Sequence, residues 1–302
     1  MDSRSGEMLV FAKVVEAGSF SAAGTLLDLS PSAVSKLITR IEERLGVLLF
    51  QRSTRQLVVT TEGRNFYDSC IRILDDIEEA EQGIAGGKLA PHGVLRINVS
   101  VPFGTNQLIP VLPEFAQRYP EITLDLSLTD ALVDLQRERI DVAVRMGPLA
   151  DASFRARTLG ESRRAVIASP QYLATHGHPK TPADLAQHRC LNFNFRRTLE
   201  EWPFRIGKQV EHLVVRGGML TNNGESMREL TLQGMGISRL AMFHVGRDIR
   251  EGRLVELLPE YNPGDTEEIN AIFLNQRFMP HRVRVFIDFL VERLGPALKN
   301  VQ

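Results

Sequence analysis

The chain has 302 residues, 43% of them hydrophobic and 24% charged, with a formal net charge of −1. At roughly 150 residues per domain the length predicts about two domains, and the composition excludes a disordered or low-complexity protein. Two cysteines are too few for a disulfide framework or a zinc site. The polar N-terminus lacks the apolar core of a signal peptide, and no run in the chain approaches the ~18 consecutive apolar residues of a membrane span. We therefore expect a cytoplasmic protein.

Three helices are predicted in the first 46 residues. Met8, Phe11 and Val14 share a helical face that ends at Gly18, and Ser19 is placed to cap a second helix that runs through Leu27. Ser30 is placed to cap a third helix, which begins at Pro31 and ends at Gly46. The predicted buried stripe of this third helix is Val34, Leu37, Ile38, Ile41 and Leu45.

A small hairpin and a long helix are predicted next. LLFQRSTRQLVVT consists of two short strand-like runs about a basic, polar tip. Thr61 is placed to cap a helix from about Glu62 to Gly86, which is followed by the Gly- and Pro-rich linker GGKLAPHG. Apolar residues at spacings of four and three form a seam on this helix: Phe66, Cys70, Ile73, Ile77, Ala80 and Ile84. We interpret it as a dimerisation helix; the alternative is an amphipathic helix that packs only on its own chain.

From Val94 onward, predicted strands alternate with predicted helices. VLRINVSV, ITLDLSL and IDVAVRM are typical of strands, and TNQLIPVLPEFAQRY and LVDLQRER are typical of the helices between them. RRAVIASPQYL and GESMRELTLQGMGIS continue the pattern, and the chain ends with strand EINAIFL and helix PHRVRVFIDFLVERL. This order predicts a parallel sheet with helices on both faces, arranged as two α/β lobes with a ligand crevice beyond the strand ends.

The first three helices and the hairpin are interpreted as a winged helix-turn-helix, whose third helix enters the major groove of double-stranded DNA by its N-terminus. The candidate DNA-contacting residues along this helix are Ser32, Ser35, Lys36, Thr39 and Arg40. Arg52 and Arg55 in the wing suit phosphates or the neighbouring minor groove. The alternative is an ordinary small helical bundle with a solvated basic face.

Residues 8–63 resemble the N-terminal domain of the LysR-type transcriptional regulators, over FAKVVEAGSFSAAGTLLDLSPSAVSKLITRIEERLGVLLFQRSTRQLVVTTEG. The similarity continues in VSVPFG, LIPVLPEFAQRYPEI, RTLGESRRAVIASPQYLATHG, TPADLAQHRCL and LTNNGESMRELTLQGMGIS. The resemblance implies an α/β fold with an N-terminal winged helix-turn-helix over 1–60, a linker helix over 61–88 and an effector-binding domain like the periplasmic binding proteins over 93–302. Lobe I of that domain is expected at about 93–164 and 268–302, and lobe II at about 165–267.

The family resemblance also implies a function: a sequence-specific DNA-binding regulator that responds to a small molecule between the two lobes, as a homodimer or homotetramer. It places base and backbone contacts on Pro31, Ser32, Ala33, Ser35 and Lys36, with Arg55 at the wing. Ser19 would cap the second helix and reach a phosphate.

The effector contacts implied by the resemblance fall mainly on two hydroxyls, Ser100 and Thr129, each of which follows a predicted strand. The alternative role for both is local capping of the segment that follows. Asn222 and Asn223 are further candidates in lobe II, although paired asparagines also form turns.

Some residues depart from the family pattern. Gly24 stands where alanine is usual, which weakens a helix by about 1 kcal/mol, and Arg139 stands where glycine is common. Arg239 stands where small or apolar residues are usual. Because a buried arginine is unfavourable unless it is paired, we expect Arg239 to face the cleft or a carboxylate. The arginines that together predict an anionic effector are Arg145, Arg196, Arg197 and Arg239.

Two alternative functions for the α/β part of the chain are solute binding and enzymatic catalysis. A solute-binding protein with no DNA role is disfavoured by the predicted helices before residue 60. An enzyme would need a nucleophile, an acid/base pair or a metal set, and the sequence indicates none, so we expect neither enzymatic activity nor a cofactor. His176 and His178 are interpreted as surface residues, Cys70 as a core residue and Trp202 as core or cleft wall.

Overall fold

The computed structural model describes residues 3–52, 57–84, 90–131, 133–147, 154–194, 201–215, 217–275 and 279–299. The chain divides into two compact units, Met1–Leu89 and Ala90–Gln302. Among the helices of these described ranges, none is both long enough and apolar enough to cross a membrane.

The first unit begins with three helices whose ends follow the predicted capping residues. The helices are α1 (Arg4–Ala17), α2 (Phe20–Leu27) and α3 (Pro31–Leu45). Ser19 and Ser30 accept backbone N–H groups of α2 and α3, as predicted, and Ser3 does the same for α1. Gly18 and Gly46 adopt the left-handed conformation just after α1 and α3, where a glycine meets no Cβ strain.

The helices and a two-stranded hairpin enclose one core. Strands β1 (Phe50–Arg52) and β2 (Leu57–Val59) pair antiparallel, as predicted. Phe11, Ile38 and Phe50 are among the buried residues of this core. The prediction of a buried stripe on α3 is correct for Val34, Ile38 and Ile41, and Leu37 is partly buried against the same core. It is wrong for Leu45, which is 39% exposed because α3 ends there and its last turn leaves the core.

Helix α4 (Thr61–Ile84) follows the hairpin. Its cap is Thr60 rather than the predicted Thr61, since Thr60 Oγ1 accepts the Gly63 N–H at 2.9 Å. Cys70 is buried in the core of the unit, which confirms its predicted packing role, and burial raises its pKa to about 12. Further along the predicted seam, Ile73 and Ile77 are 39% and 37% exposed. The side chains of residues 80 and 84 lie outside the described residues.

In the described part of the second unit, seven strands form one mixed sheet. They are β3 (Gly93–Val99), β4 (Ile122–Leu128), β5 (Val142–Met146), β6 (Phe154–Ala168), β11 (Ser238–Ala241), β12 (Val255–Leu257) and β13 (Thr266–Leu274). Their order is β11-β6-β13-β5-β3-β4, with β12 also on β6. Within this sheet only β3, β4 and β5 pair parallel, and β13 runs antiparallel to both β5 and β6, so the prediction of a parallel sheet is wrong for the other strands of this sheet. Outside it, Gly217–Thr221 pairs parallel with Cys190–Phe193.

Strand β6 extends through both halves of this unit. Residues Phe154–Arg163 pair with β13, and the last five residues of β6 pair with β11 and β12. The remaining elements are α5 (Val101–Phe103), α6 (Leu112–Arg118), α7 (Pro170–His176), β7 (Cys190–Phe193), β8 (Glu201–Ile206), β9 (Gln209–Val214), β10 (Gly217–Thr221), α8 (Gly224–Leu232), α9 (Met242–Arg250) and α10 (His281–Lys299). A core around β3, β5, β13, α6 and α10 defines lobe I, and cores around α7, α8, β7 and β11 define lobe II.

Two predicted helices of lobe I differ from the structure. TNQLIPVLPEFAQRY lies in a run of α5, a π-helical turn over 104–108, a 3-10 turn over 109–111 and α6, because Pro110 and Pro113 have no N–H to donate. The predicted helix LVDLQRER is wrong over its described residues, which form turns. There the Asp134 carboxylate accepts the Gln136 and Arg137 N–H groups, and Arg139 takes a left-handed φ of 58°.

Candidate DNA interface and effector cleft

The N-terminal end of α3 presents a small polar surface. Ser30 Oγ accepts the Ala33 N–H at 3.2 Å and lies 3.0 Å from Ser32 Oγ. Pro31, Ser32 and Lys36 are exposed and Ala33 and Ser35 are partly exposed, whereas Val34 and Ile38 are fully buried on the opposite side. The residues predicted to contact DNA therefore share the outer side of the first two turns.

Four other residues were predicted to contact DNA, and the structure shows less about the surroundings of each. Ser19 Oγ accepts the Ala22 N–H at 3.0 Å and so caps α2. Thr39 is partly exposed on α3. In the wing, Arg52 ends β1 with its side chain outside the described part of the chain, and Arg55 itself lies outside it.

Arg40 has an intramolecular partner that the sequence did not indicate. Its Nε lies 2.7 Å from Glu7 Oε1, and Arg44 Nη2 lies 2.8 Å from Glu7 Oε2. Glu42 is a second buried acid that sequence reasoning missed, and its Oε1 accepts the N–H groups of Leu49 and Phe50. The available signal for Glu7 was its spacing of three and four residues from Val10 and Phe11, which places it on the apolar face of α1.

In the second unit, a cleft with a volume of about 760 Å³ lies between lobe I and lobe II. Its lining comes from the ends of β3, β4 and β5 in lobe I and from α8, β11 and α9 in lobe II, with Arg164 of β6 between them. The lining residues are Ser100, Pro102, Thr129, Asp130, Arg145, Met146, Arg164, Phe193, Gly224, Arg239, Leu240, Ala241, Phe243, His244 and Glu267.

The two predicted effector hydroxyls both line this cleft, but they differ in their hydrogen bonds. Ser100 is 8% exposed, it makes no side-chain cap to α5, and its Oγ has no hydrogen-bond partner among the described residues. Thr129 Oγ1 accepts the Ala131 N–H at 3.2 Å, which is a local turn contact. A buried hydroxyl without a partner is unfavourable, so Ser100 has unused hydrogen-bonding capacity at the wall of the cleft.

The predicted arginines of the cleft are held by polar partners. Arg145 Nη1 donates to the Val144 carbonyl at 3.0 Å, and its Nη2 donates to Oδ1 of the buried Asn98. Arg239 lines the cleft and also donates from Nη2 to both carboxylate oxygens of Asp265, at 2.6 and 2.7 Å. Burial lowers the pKa of Arg239, and Asp265 opposes that shift. Arg196 and Arg197 lie outside the described residues.

Asn222 and Asn223 do not line the cleft. Asn223 Oδ1 accepts the Ser226 N–H at 2.8 Å and so caps α8, while its Nδ2 donates to Asn222 Oδ1 at 3.2 Å. The structure therefore places this pair in the turn before α8, which is the alternative role that the sequence left open.

The charged residues that sequence reasoning missed are Asp130, Arg164, His244 and Glu267. Asp130 accepts backbone N–H groups at 3.1 and 3.2 Å, Arg164 Nη2 donates to Glu267 at 2.7 Å, and His244 Nε2 lies 2.8 Å from Glu225. Asp130 directly follows Thr129, so the rule that selected Thr129, a polar residue at the end of a strand, would also have selected it. The partners of the others are too distant in sequence to give a signal.

A second cavity, of about 810 Å³, adjoins the cleft. Arg164, Phe193, Arg239 and Glu267 line both, and Trp202 lines only the second. Trp202 is 3% exposed, which agrees with its interpretation as a core or wall residue.

A three-helix unit with a wing and a two-lobed unit with a ligand cleft together define a DNA-binding regulator that senses a small molecule. The family described as LysR substrate binding domain matches residues 89–295, and the family described as bacterial regulatory helix-turn-helix protein, lysR family, matches residues 6–64. The chain belongs to the LysR family of transcriptional regulators.

Similar proteins of the family match over nearly the whole chain. The HTH-type transcriptional regulator CrgA of Neisseria meningitidis serogroup C is 40% identical over 298 residues, which are 99% of each chain. A solved structure of CrgA from Neisseria meningitidis covers 97% of this chain and 100% of its own, with a TM-score of 0.66 and 39% identity. The full-length structure of the Vibrio cholerae virulence activator AphB covers 97% of this chain and 100% of its own, with a TM-score of 0.60 and 25% identity.

The chain is therefore a LysR-type transcriptional regulator with a helix-turn-helix DNA-binding domain and an effector-binding domain. The alternative of a solute-binding protein with no DNA role is not supported, because the helix-turn-helix match covers the first unit. The family consists of transcriptional regulators and gives no support to an enzyme.

Proposed function

We propose that the first two turns of α3 read an operator in the major groove through Pro31, Ser32, Ala33, Ser35 and Lys36. The observation that supports this is their common exposed surface beside the Ser30 cap, opposite the buried Val34 and Ile38. Small hydroxyls and a cation are suited to base edges and phosphates at close range. Ser19, Thr39, Arg52 and Arg55 are proposed as flanking contacts.

The test is fluorescence anisotropy of the full-length protein with DNA from upstream of its own gene, across a salt series. Saturable binding that resists competitor DNA, with a steep salt slope, is the expected result. Substitution of Ser32 and Ser35 to alanine is expected to weaken binding to this DNA more than binding to random DNA. Equal loss on both DNAs would overturn the assignment of these serines to base recognition.

We propose that α4 continues into the interface of a homodimer, and that dimers can assemble further into a homotetramer. Ile73 and Ile77 support the dimer, because they extend the seam of the buried Cys70 yet remain more than a third exposed. A two-fold dimer would place two recognition helices on half-sites about one helical turn apart, so an interrupted palindrome is expected.

Sedimentation equilibrium tests the dimer. Ile73→Asp with Ile77→Asp is expected to shift the protein toward monomer. Leu26→Asp is the matched control, because Leu26 is an apolar residue that is 68% exposed on α2, away from the seam. An unchanged mass for the double variant would contradict the proposed role of α4.

We propose that the effector carries an anionic group and binds in the cleft between the lobes. The unpartnered Ser100 Oγ carries this proposal, with Arg145 of lobe I and Arg239 of lobe II, which both line the cleft, as the source of positive potential. Thr129 is a further candidate contact. The effector would act by population shift: it prefers one arrangement of the lobes or of the oligomer and so alters the spacing or bending of the operator.

Calorimetric titration tests the charge of the effector with matched pairs of probes: benzoate against benzamide, and succinate against succinamide. Wild-type protein is expected to bind the carboxylates more tightly, and Arg145→Gln is expected to remove that preference. A preference for the amides would overturn the anionic assignment. A preference for the carboxylates that persists in both Arg145→Gln and Ser100→Ala would also overturn it.

A further inference from the structure

Asp130 joins the two lobes through backbone amides. Its Oδ1 accepts the Val101 N–H at 3.1 Å, and its Oδ2 accepts the Gly224 N–H at 3.2 Å. Val101 begins α5 in lobe I, and Gly224 begins α8 in lobe II. One carboxylate therefore accepts the first amide of α8, where a helix N-terminus favours negative charge, together with the Val101 amide of lobe I.

The two helix starts approach each other directly at this point. A Cβ built on Gly224 would lie 2.6 Å from Pro102 Cγ, so a larger residue at Gly224 would push α8 away from α5. Two further bonds cross the same junction: Gln107 Nε2 donates to the Phe243 carbonyl at 2.8 Å, and Asn106 Nδ2 donates to Glu225 Oε2 at 3.4 Å. Asp130 thus lies in a junction that is built to hold the lobes together.

Ser100 is an independent indication that this end of the cleft takes a ligand. It precedes Val101, it lines the cleft, it is 8% exposed, and its buried Oγ has no hydrogen-bond partner among the residues that the structure describes. Burial raises the pKa of Asp130, while its two amide bonds oppose that shift. The carboxylate is therefore held by these amides against an unfavourable environment, and a competing carboxylate with more contacts could replace it.

We propose that Asp130 is a specificity-determining residue of the cleft: its carboxylate excludes acetate, which offers no further contacts, and admits a larger carboxylate ligand that displaces its side chain from the Val101 and Gly224 amides. The proposal rests on the anionic effector proposed above. A displacing ligand brings one carboxylate to the amides and gains additional contacts with Ser100 Oγ and Arg145. Once Asp130 is displaced, the ligand itself links α5 to α8, so occupancy of the cleft changes how the lobes are joined.

The test is titration of sodium acetate, at constant ionic strength, into full-length wild type, Asp130→Ala, Asp130→Asn and Asp288→Ala. Asp130→Ala empties the carboxylate position, so it is expected to bind acetate at least tenfold more tightly than wild type and to gain thermal stability from it. Asp130→Asn is expected to bind acetate no more tightly than wild type, because the amide side chain still fills the carboxylate position. Asp288 is exposed on α10, so its variant is expected to behave as wild type.

Equal acetate affinity in Asp130→Ala and wild type would overturn the proposal, as would an equal gain in Asp130→Asn. If Asp130→Ala does not fold, acetate but not acetamide is expected to restore its folded circular dichroism spectrum, and restoration by neither would also overturn it. The benzoate and benzamide titration of wild type separates the two proposals. If wild type still prefers carboxylates while acetate fails in Asp130→Ala, only the role of Asp130 is lost. If the preference is absent, the anionic effector is lost.

Discussion

Arg40 in α3 and Glu7 in α1 form an ion pair, with Arg40 Nε 2.7 Å from Glu7 Oε1. Arg44 completes the arrangement from the next turn of α3, and Glu7 is 7% exposed. One buried acid thus holds the recognition helix against α1. Two cations on the same helix have different surroundings as a result: Lys36 is exposed near the N-terminal end, and Arg40 is engaged with Glu7.

Lys36→Ala is expected to weaken DNA binding. If Lys36 contacts a phosphate, the variant lowers the slope of log affinity against log salt by about one; if it reads a base, specificity relaxes by ~1–3 kcal/mol instead. Arg40→Ala is the comparison, expected to keep the salt slope and to lose about 1 kcal/mol of unfolding free energy. Anisotropy across a salt series and urea unfolding distinguish the two. A reduced salt slope in Arg40→Ala would return Arg40 to the DNA contacts.

Gly24→Ala is expected to destabilise the protein by about 1–3 kcal/mol, although alanine is the better helix former. A Cβ on Gly24 would lie 2.5 Å from the Leu29 carbonyl oxygen, which is backbone and cannot rotate away. Thermal unfolding followed by circular dichroism measures the effect, with Thr25→Ala, an exposed position on the same helix, as control. A stabilisation of about 1 kcal/mol would mean that the Leu29 backbone yields and helix propensity prevails.

Arg139→Gly is expected to stabilise the second unit by about 0.5–1 kcal/mol. Arg139 has a φ of 58°, a conformation that is unfavourable for a residue with a Cβ, and glycine loses part of that gain through its greater freedom in the unfolded chain. Arg137→Gly, at an exposed position in the same turn, is the control that should destabilise. Urea unfolding followed by fluorescence of Trp202, the single tryptophan in the sequence, reports on this unit. Lower stability for Arg139→Gly would mean that its side-chain interactions outweigh the strain.

The contrast between α3 and the turn around Arg139 shows which features the sequence could predict. The start of α3 depends on Ser30 and Pro31 and its end depends on Gly46, and each signal lies at the boundary that it sets, so local patterns were sufficient. LVDLQRER also has helical spacing, but the Asp134 side chain binds the backbone amides and forms a turn instead. The mixed sheet was missed for a different reason: β6 pairs with β13, about a hundred residues later in the chain.

The residues of the cleft also differ in how far the sequence could predict them. Ser100 and Thr129 could be predicted because each follows a strand, and the carboxyl ends of parallel strands meet at one edge of the sheet. The bond from Gly224 to Asp130 joins residues that are 94 positions apart, and Arg164 and Glu267 are 103 apart. No local pattern in a single sequence indicates such pairs. The sequence did predict that Arg239 faces the cleft or a carboxylate, but only the structure identifies that carboxylate as Asp265.

Glu225→Gln is expected to flatten the acid dependence of stability in the second unit. The hydrogen bond with His244 lowers the pKa of Glu225 from 4.5 to about 2, and Arg228 contributes to the same shift. Because the folded-state pKa is below the unfolded one, this stabilisation is present above pH 4.5 and is lost as the pH falls toward about 2. Because the Glu225 side chain is 30% exposed and solvent screens part of its interactions, the variant should lose on the order of 1–2 kcal/mol at neutral pH and change less than wild type between those limits. Urea unfolding followed by Trp202 fluorescence at a series of pH values measures this, with Glu229→Gln, exposed one turn later on α8, as control. Parallel curves for wild type and Glu225→Gln would show that the His244 contact contributes nothing to the acid response.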